Sequence, residues 1–268
     1  MPHVEFEKRD GIAYVTLNRP EKHNALSPEM VVRLARLWPE IAEDIDIRVV
    51  LLTGAGDQAF SSGGDLGSLI PIMMRSRPPA DEWEELLAAD RRQLGAAVLR
   101  NSTFYKPIVA AVNGMAFAGG TELLLSTDIR IASEHSTFAL TEVRRGLIAG
   151  GGSLARLARQ IPWTAALELC LVGEPIDAHH ALRVGLVNRI VAADRVFAEA
   201  ERIAKQICLG APVALRKTKE AIVRSNGRPL EDAFAIETEC TIENASTLDA
   251  HEGPLAFMEK RAPVFQGR

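Results

Sequence analysis

Two carboxylates and two glycine pairs have the types and spacing to do chemistry in this sequence. Gly119 and Gly120 stand at the mouth of a short apolar helix, and Glu122 sits in its first turn beside Leu123, Leu124 and Leu125. Glycine permits φ > 0 and close approach of its backbone, and the first amides of a helix lack partners inside it. Gly119 and Gly120 can therefore offer N–H donors to an anion or a polarised oxygen, with the helix dipole behind them. An acid among leucines is poorly hydrated, which sets Glu122 apart from a surface glutamate. The same residues also suit a plain strand-to-helix turn with a glutamate favoured by the dipole, and this segment alone does not decide between the two.

A second stretch repeats the pattern. AFSSGGDL (Ala59 to Leu66) and AFAGGTEL (Ala116 to Leu123) each follow an apolar run and carry Ala-Phe, Gly-Gly, an acid and a leucine. Two glycine-gated helix starts in one domain can aim two backbone amides at one oxygen, the form of an oxyanion hole. A strand–turn–helix unit repeated only for packing would leave the same echo. Glu142 lies in a short polar segment before a further glycine cluster, Gly150-Gly151-Gly152. If it met Glu122, an acid and a base beside an oxyanion hole would suit proton transfer next to an activated carbonyl.

The elements that must position these groups can be read in order. Val4 and Phe6 alternate with polar residues, Asp10-Gly11 signals a turn, and Ile12 to Leu17 completes a hairpin. Ser27-Pro28-Glu29 starts a helix to about Asp44, with serine as N-cap and proline in the first turn. Arg48 to Thr53 is a buried strand. Gly54, Gly56 and Ala59 after it imitate a dinucleotide fingerprint, but Phe60 to Gly64 follow where a helix should begin, which argues against that site. Leu66 to Ala80, apolar with three prolines, reads as a mobile flap, and a helix from about Asp81 to Asn101 follows. Ile108 to Val112 is a strand turning at Asn113-Gly114, and Thr137 to Leu140 is another. Helices are expected over Ser153–Gln160, Trp163–Val172 and Asp177–Val184, then a last strand over Leu186–Ala192. Further helices span Asp194–Leu209, Pro212–Ser225 and Pro229–Ser246, with a final one from Leu255 to Arg261 after Glu252-Gly253-Pro254.

Composition narrows the function classes. The chain has 268 residues, 47% of them hydrophobic, which is ample for a core. A net charge of −4 and a pI near 5.9 argue against an extended nucleic-acid surface, and the basic clusters at Arg91-Arg92, Arg144-Arg145 and Lys217 to Lys219 are short. Cys170, Cys208 and Cys240 lack CxxC spacing and read as reduced residues of a cytoplasmic protein. No signal pattern opens MPHVEFEKRDG, and the apolar run before Glu122 is too short and glycine-rich to span a bilayer. His179 and His180 are adjacent, so on a helix they face different directions, and no metal site is expected.

LNRPEKHNALS, AFSSGGDL, KPIVAAVNGMAFAGGTELLLSTDIRIAS, TEVRRGL with its glycines, and AFMEKR resemble, in that order, the enoyl-CoA hydratase/isomerase (crotonase) family. The resemblance covers nearly the whole chain. It implies an α/β fold, a crotonase-like spiral of repeated β-β-α units over residues 1–195, and a helical C-terminal region over 196–268 that supports trimers or hexamers. It implies an enoyl-CoA hydratase of fatty acid metabolism, with the Gly64 and Gly119 amides on the thioester oxygen. Glu122 would help activate a water that adds to C3, and Glu142 would supply the proton to C2. It further implies that His23, Ala25, Leu26, Ala59, Ser61, Ser62, Gly63, Asp65, Leu66 and Gly120 line the acyl-CoA site. Phe257 and Lys260 would reach a neighbouring subunit's CoA. No cofactor is implied beyond coenzyme A, which is part of the substrate, and neither nucleic acid nor membrane is a partner.

Leu140 stands where efficient short-chain hydratases tend to carry a polar amide, and Thr141 and Ala149 replace prolines. These departures bear on how Glu142 is positioned. An isomerase of the same family works with one carboxylate and usually lacks the first glutamate, so Glu122 disfavours it. A non-catalytic acyl-CoA-binding or RNA-binding member is disfavoured by both glutamates and by the net acidity.

Overall fold

The computed structural model describes residues 1–100 and 103–268. The chain opens as a hairpin of β1 (Val4–Arg9) and β2 (Ile12–Leu17), in antiparallel register from Val4 opposite Leu17 to Arg9 opposite Ile12. Asp10 and Gly11 both have positive φ, 53° and 79°, as a tight two-residue hairpin turn demands. Helix α1 (Pro28–Glu43) starts where Ser27 Oγ accepts the Met30 N–H at 3.1 Å. Strands β3 (Val49–Gly54) and β4 (Ala59–Ser61) follow, then helices α2 (Leu69–Met74), α3 (Glu82–Ala89) and α4 (Arg92–Ala97). Next come β5 (Ile108–Val112), β6 (Met115–Phe117), α5 (Gly119–Leu124), β7 (Ile129–Ser133) and β8 (Thr137–Ala139). The remainder is mostly helical: α6 (Ser153–Gln160), α7 (Trp163–Val172), β9 (Ile176–Asp177), α8 (Ala178–Arg183) and β10 (Arg189–Val191), then α9 (Val196–Ile207), α10 (Pro212–Ser225), α11 (Leu230–Ala245) and α12 (Leu248–Met258).

Two sheets share these strands. The larger has the order β1-β2-β3-β5-β7-β10, parallel except for the opening hairpin, and the smaller has the order β4-β6-β8-β9. Each of the pairs β3/β4, β5/β6 and β7/β8 gives its first strand to the large sheet and its second to the small one, so the chain spirals through both. Every residue of β3 and β5 is buried, because a parallel sheet is covered on both faces. Val50, Leu52, Ile108 and Ala110 join the main core with α1, while Val49, Leu51, Val109 and Ala111 face Val196, Ala200, Ile203 and Ala204 of α9. That spacing on α9 is the single apolar stripe of a helix laid on a sheet. The fold is the expected α/β spiral with a helical C-terminal region.

Several local expectations differ from the structure, beginning with the short strands β4, β6 and β9, which were absent from them. The segment from Leu66 to Ala80 is anchored rather than free, since α2 buries Leu69 and Ile72, and Pro71 falls in the first turn, where a missing N–H costs little. The helix expected from Asp81 breaks at Asp90, whose carboxylate accepts both the Arg92 N–H at 3.1 Å and the Arg92 side chain, an aspartate competing with the helix for its own backbone. Asn101, its expected end, lies outside the described residues. The final helix begins at Leu248, capped by the Thr247 hydroxyl on the Ala250 N–H, and runs through Glu252-Gly253-Pro254 instead of starting after them.

Candidate active site

The two glycine pairs lie against each other, but only the second opens a helix as expected: Gly64 is held in a bridge to Leu26, and α2 does not begin until Leu69. A methyl group on Gly119 would stand 3.5 Å from the Gly64 nitrogen and 3.1 Å from a Leu26 methyl. Leu26 donates its N–H to the Gly63 carbonyl and accepts the Asp65 N–H, which pairs it with Gly64 and turns the Gly64 N–H to the opposite side. Gly63 has φ of 92°, and a Cβ there would lie 2.7 Å from the Phe117 carbonyl, so glycine is required twice over. The Gly119 N–H is the first of α5 and has no partner within it.

Ala118, just before it, has φ of 48° and ψ of −122°, a backbone that alanine adopts only under constraint. The constraint is visible. Its N–H donates to the Ala139 carbonyl at 2.9 Å, and the buried Thr121 hydroxyl reaches the Ala116 carbonyl at 2.6 Å. The strain orients the peptide that carries the Gly119 N–H. Nothing in Ala-Phe-Ala-Gly-Gly announced it, because alanine is not a turn residue.

Behind this pair, Glu122 is only 7% exposed, and its Oε1 accepts the Gly151 N–H at 2.6 Å and the Ser153 hydroxyl at 2.9 Å. A side chain on Gly151 would collide with the carboxylate at 2.5 Å, so the glycine cluster before α6 is shaped around Glu122. Glu142 lies on the 3₁₀ turn from Glu142 to Arg145 that leads to the same cluster. Its Oε2 is buried, and among the described residues it has no hydrogen-bond partner. Burial pushes its carboxyl up to about 7, its own backbone amide opposes this, the Glu122 charge adds to it, and Arg145 opposes again. The charge of Glu122 thus bears on Glu142. Leu140 is buried and supplies no donor to Glu142.

Two further side chains lie around the glutamates: Cys170, expected from the sequence only as a reduced cysteine, and Arg156, which the sequence did not single out. Cys170 of α7 has a thiol raised by burial and by the Glu142 charge. Arg156 of α6 donates to the Val98 and Leu99 carbonyls, and burial pulls its guanidinium down against the Glu122 charge.

The remaining expected residues fall into two groups. Ala59, Ser61, Gly63, Ala25 and Leu26 are buried around the first glycine start, and Gly120 packs so closely that a Cβ would lie 2.3 Å from the Ser61 carbonyl. The exposed His23 accepts the Ser62 N–H on its carbonyl at 2.9 Å, Asp65 holds Arg19 at 2.9 Å, and Leu66 is exposed. Phe257 and Lys260 sit at the exposed C-terminal end of α12, and among the described residues no hydrogen bond or ion pair joins them to the glycines or the glutamates. The organiser overlooked in HNAL is Asn24, fully buried with φ of 52°. Its Oδ1 accepts the Arg19 N–H at 2.9 Å, and its amide donates to the Ala55 and Ala59 carbonyls at 2.9 and 2.7 Å. A left-handed residue that ties loops is a role asparagine fills readily. Among the described residues no three His, Cys, Asp or Glu side chains gather around a common point.

The two glycine pairs and Glu122 are thus brought together on a two-sheet spiral, with Glu142 on the turn that leads to the glycine cluster around Glu122. The chain belongs to the enoyl-CoA hydratase/isomerase family, whose model matches residues 7–268. It is 39% identical to (E)-benzylidenesuccinyl-CoA hydratase of Thauera aromatica over 264 residues, 98% of this chain and 99% of that one. It is likewise 39% identical to enoyl-CoA hydratase EchA19 of Mycobacterium tuberculosis, over 100% of this chain and 97% of the relative. The crystal structure of enoyl-CoA hydratase from Bacillus anthracis superposes with a TM-score of 0.89 at 32% identity, covering 99% of this chain and all of that one.

Proposed function

We propose that this protein adds water across the 2,3 double bond of a trans-2-enoyl-CoA, as a hydro-lyase. The thioester oxygen sits between the Gly64 and Gly119 amides. Water is held between Glu122 and Glu142. Its oxygen bonds to C3 as Glu122 takes one of its protons, and the π electrons move onto the thioester oxygen as an enolate. The enolate collapses, and C2 takes a proton from Glu142. Glu122 ends protonated and Glu142 ionised, and exchange with solvent resets them. The amides are stronger partners for the enolate than for the neutral thioester, which is where the barrier falls.

The observation that carries this reading is the contrast between the acids. Glu122 accepts two donors on one oxygen, whereas Glu142 is half-buried, has a buried Oε2 that no described residue partners, and is raised to about 7. Environments that treat two carboxyls differently are how one site keeps a base and an acid together. Both acids being present supports hydration over isomerisation, which works with one.

His23, Ala25, Leu26, Ala59, Ser61, Ser62, Gly63, Asp65, Leu66 and Gly120 are assigned to the acyl-CoA site, and coenzyme A enters only as part of the substrate. The region from residue 196 divides its work, with α9 roofing the large sheet and α10 to α12 available for other subunits. Exposed Trp163, Leu230, Phe234, Ile242, Phe257 and Met258 support a homotrimer or a pair of trimers, in which Lys260 reaches a neighbour's CoA phosphate. We place it in the cytoplasm, and no described helix is long and apolar enough to cross a membrane.

The test follows loss of the conjugated enoyl-thioester absorbance across a series of acyl chains. Glu122→Gln and Glu142→Gln should each reduce kcat by roughly a hundredfold or more, as expected for removing a general acid or base. Full activity in either variant would sink the two-carboxylate mechanism.

A further inference from the structure

Both donors on Glu122 end on the same oxygen. The Gly151 N–H and the Ser153 hydroxyl converge on Oε1 at 2.6 and 2.9 Å, and among the described residues no donor reaches Oε2. Ser153 is completely buried, and its hydroxyl has one proton to give. The Ala149 carbonyl lies 3.3 Å away and the carboxylate 2.9 Å, so the shorter and charge-assisted bond takes the proton. With one oxygen saturated, the carboxylate cannot rotate without losing two hydrogen bonds. The charged groups facing Glu122 are Glu142 on the 3₁₀ turn and Arg156 on α6, and Arg156 is spent on the Val98 and Leu99 carbonyls.

We propose that Ser153 is a positioning residue for the hydration reaction: its hydroxyl, with the Gly151 N–H, locks Oε1 of Glu122 so that Oε2 alone receives the proton of the attacking water. The inference rests on the base role given to Glu122 above. It assigns a function to the first residue of α6, which is fully buried against Glu122. Because an O–H donor favours the ionised carboxylate, removing it disfavours the form that accepts a proton.

The test compares full-length wild type with Ser153→Ala and Ser153→Thr. Ser153→Ala should lower kcat by about tenfold or more, the scale of one hydrogen bond to a charged group, with KM little changed. The acidic limb of the kcat/KM profile should move to higher pH, and Ser153→Thr, which keeps the hydroxyl, should restore it. Melting temperature and affinity for a saturated acyl-CoA, read on the same samples, separate this from misfolding, and Ser153→Gly is a second hydroxyl-free variant should alanine pack badly. Wild-type kcat with an unmoved acidic limb in the hydroxyl-free variants would overturn the proposal. So would parallel loss of acyl-CoA affinity and melting temperature, which marks a structural residue. Failure of wild type itself to hydrate any enoyl-CoA would overturn the functional reading instead, and is seen before any variant is made.

Discussion

Glu122 and Glu142 carry the same functional group, and their surroundings make them different reagents. The folded state holds the Glu142 carboxyl up to about 7, first through burial and then through the Glu122 charge. A carboxyl raised above its unfolded value stabilises the fold fully below that value, near 4.3 for glutamate, and the contribution is lost as pH rises through about 7. Glu142→Gln should therefore flatten this part of the stability profile, gaining on wild type above pH 7 and not below pH 4, as read by melting temperature. Activity should follow the same group. If Glu142 delivers the proton, kcat/KM falls above about pH 7, and a rate that climbs steadily through pH 9 would contradict that role. Both carboxylates and both glycine pairs could be picked out from the sequence by type and neighbours. The Ala118 strain and the Ser153 hydroxyl could not, because each acquires meaning only from a partner distant in the chain.

At the scale of elements, two loops and the start of β4 meet on one asparagine. Asn24 joins the turn after β2 to the segment between β3 and β4, and its two amide donors and one acceptor are all used. Asn24→Ala would strand the Ala59 carbonyl inside the protein and leave alanine with φ of 52°. The expected loss is about 2–4 kcal/mol, from unsatisfied buried groups and backbone strain, and urea unfolding measures it. The first glycine start hangs from these loops through Leu26 and Ser62, so the same variant should also raise KM for the acyl-CoA. A variant as stable as wild type would show the loops are held otherwise. Helix limits that rest on caps and proline, as at Ser27-Pro28 and Pro212, were legible from the sequence to within a residue or two. The break at Asp90 and the helix running through Pro254 were not, because a side chain competing for its own backbone and a tolerated proline are decided by what packs around them.

The whole molecule exposes large apolar side chains on α7, α11 and α12, among them Trp163 at 65% and Phe257 at 82%. Sedimentation at micromolar concentration should give the mass of a trimer or a hexamer, and a monomer would refute the assembly assigned to the C-terminal region. Lys260→Ala should raise KM for acyl-CoA by roughly tenfold through one lost charge-assisted contact, with kcat little changed, if Lys260 serves a neighbour's site. Most helices and the long strands could be read from the chain, because hydrophobic period, caps and glycine placement are local properties that a sequence displays directly, whereas the spiral class came from the family resemblance of its motifs and the short strands β4, β6 and β9 were not foreseen. Tertiary structure decided what needs distance: that the Gly64 and Gly119 amides lie side by side, that Glu122 is clasped by Gly151 and Ser153, and that Glu142 is half-buried and raised by the Glu122 charge as well as by burial. Proximity and desolvation belong to the packed molecule, and those two quantities set the two glutamates apart.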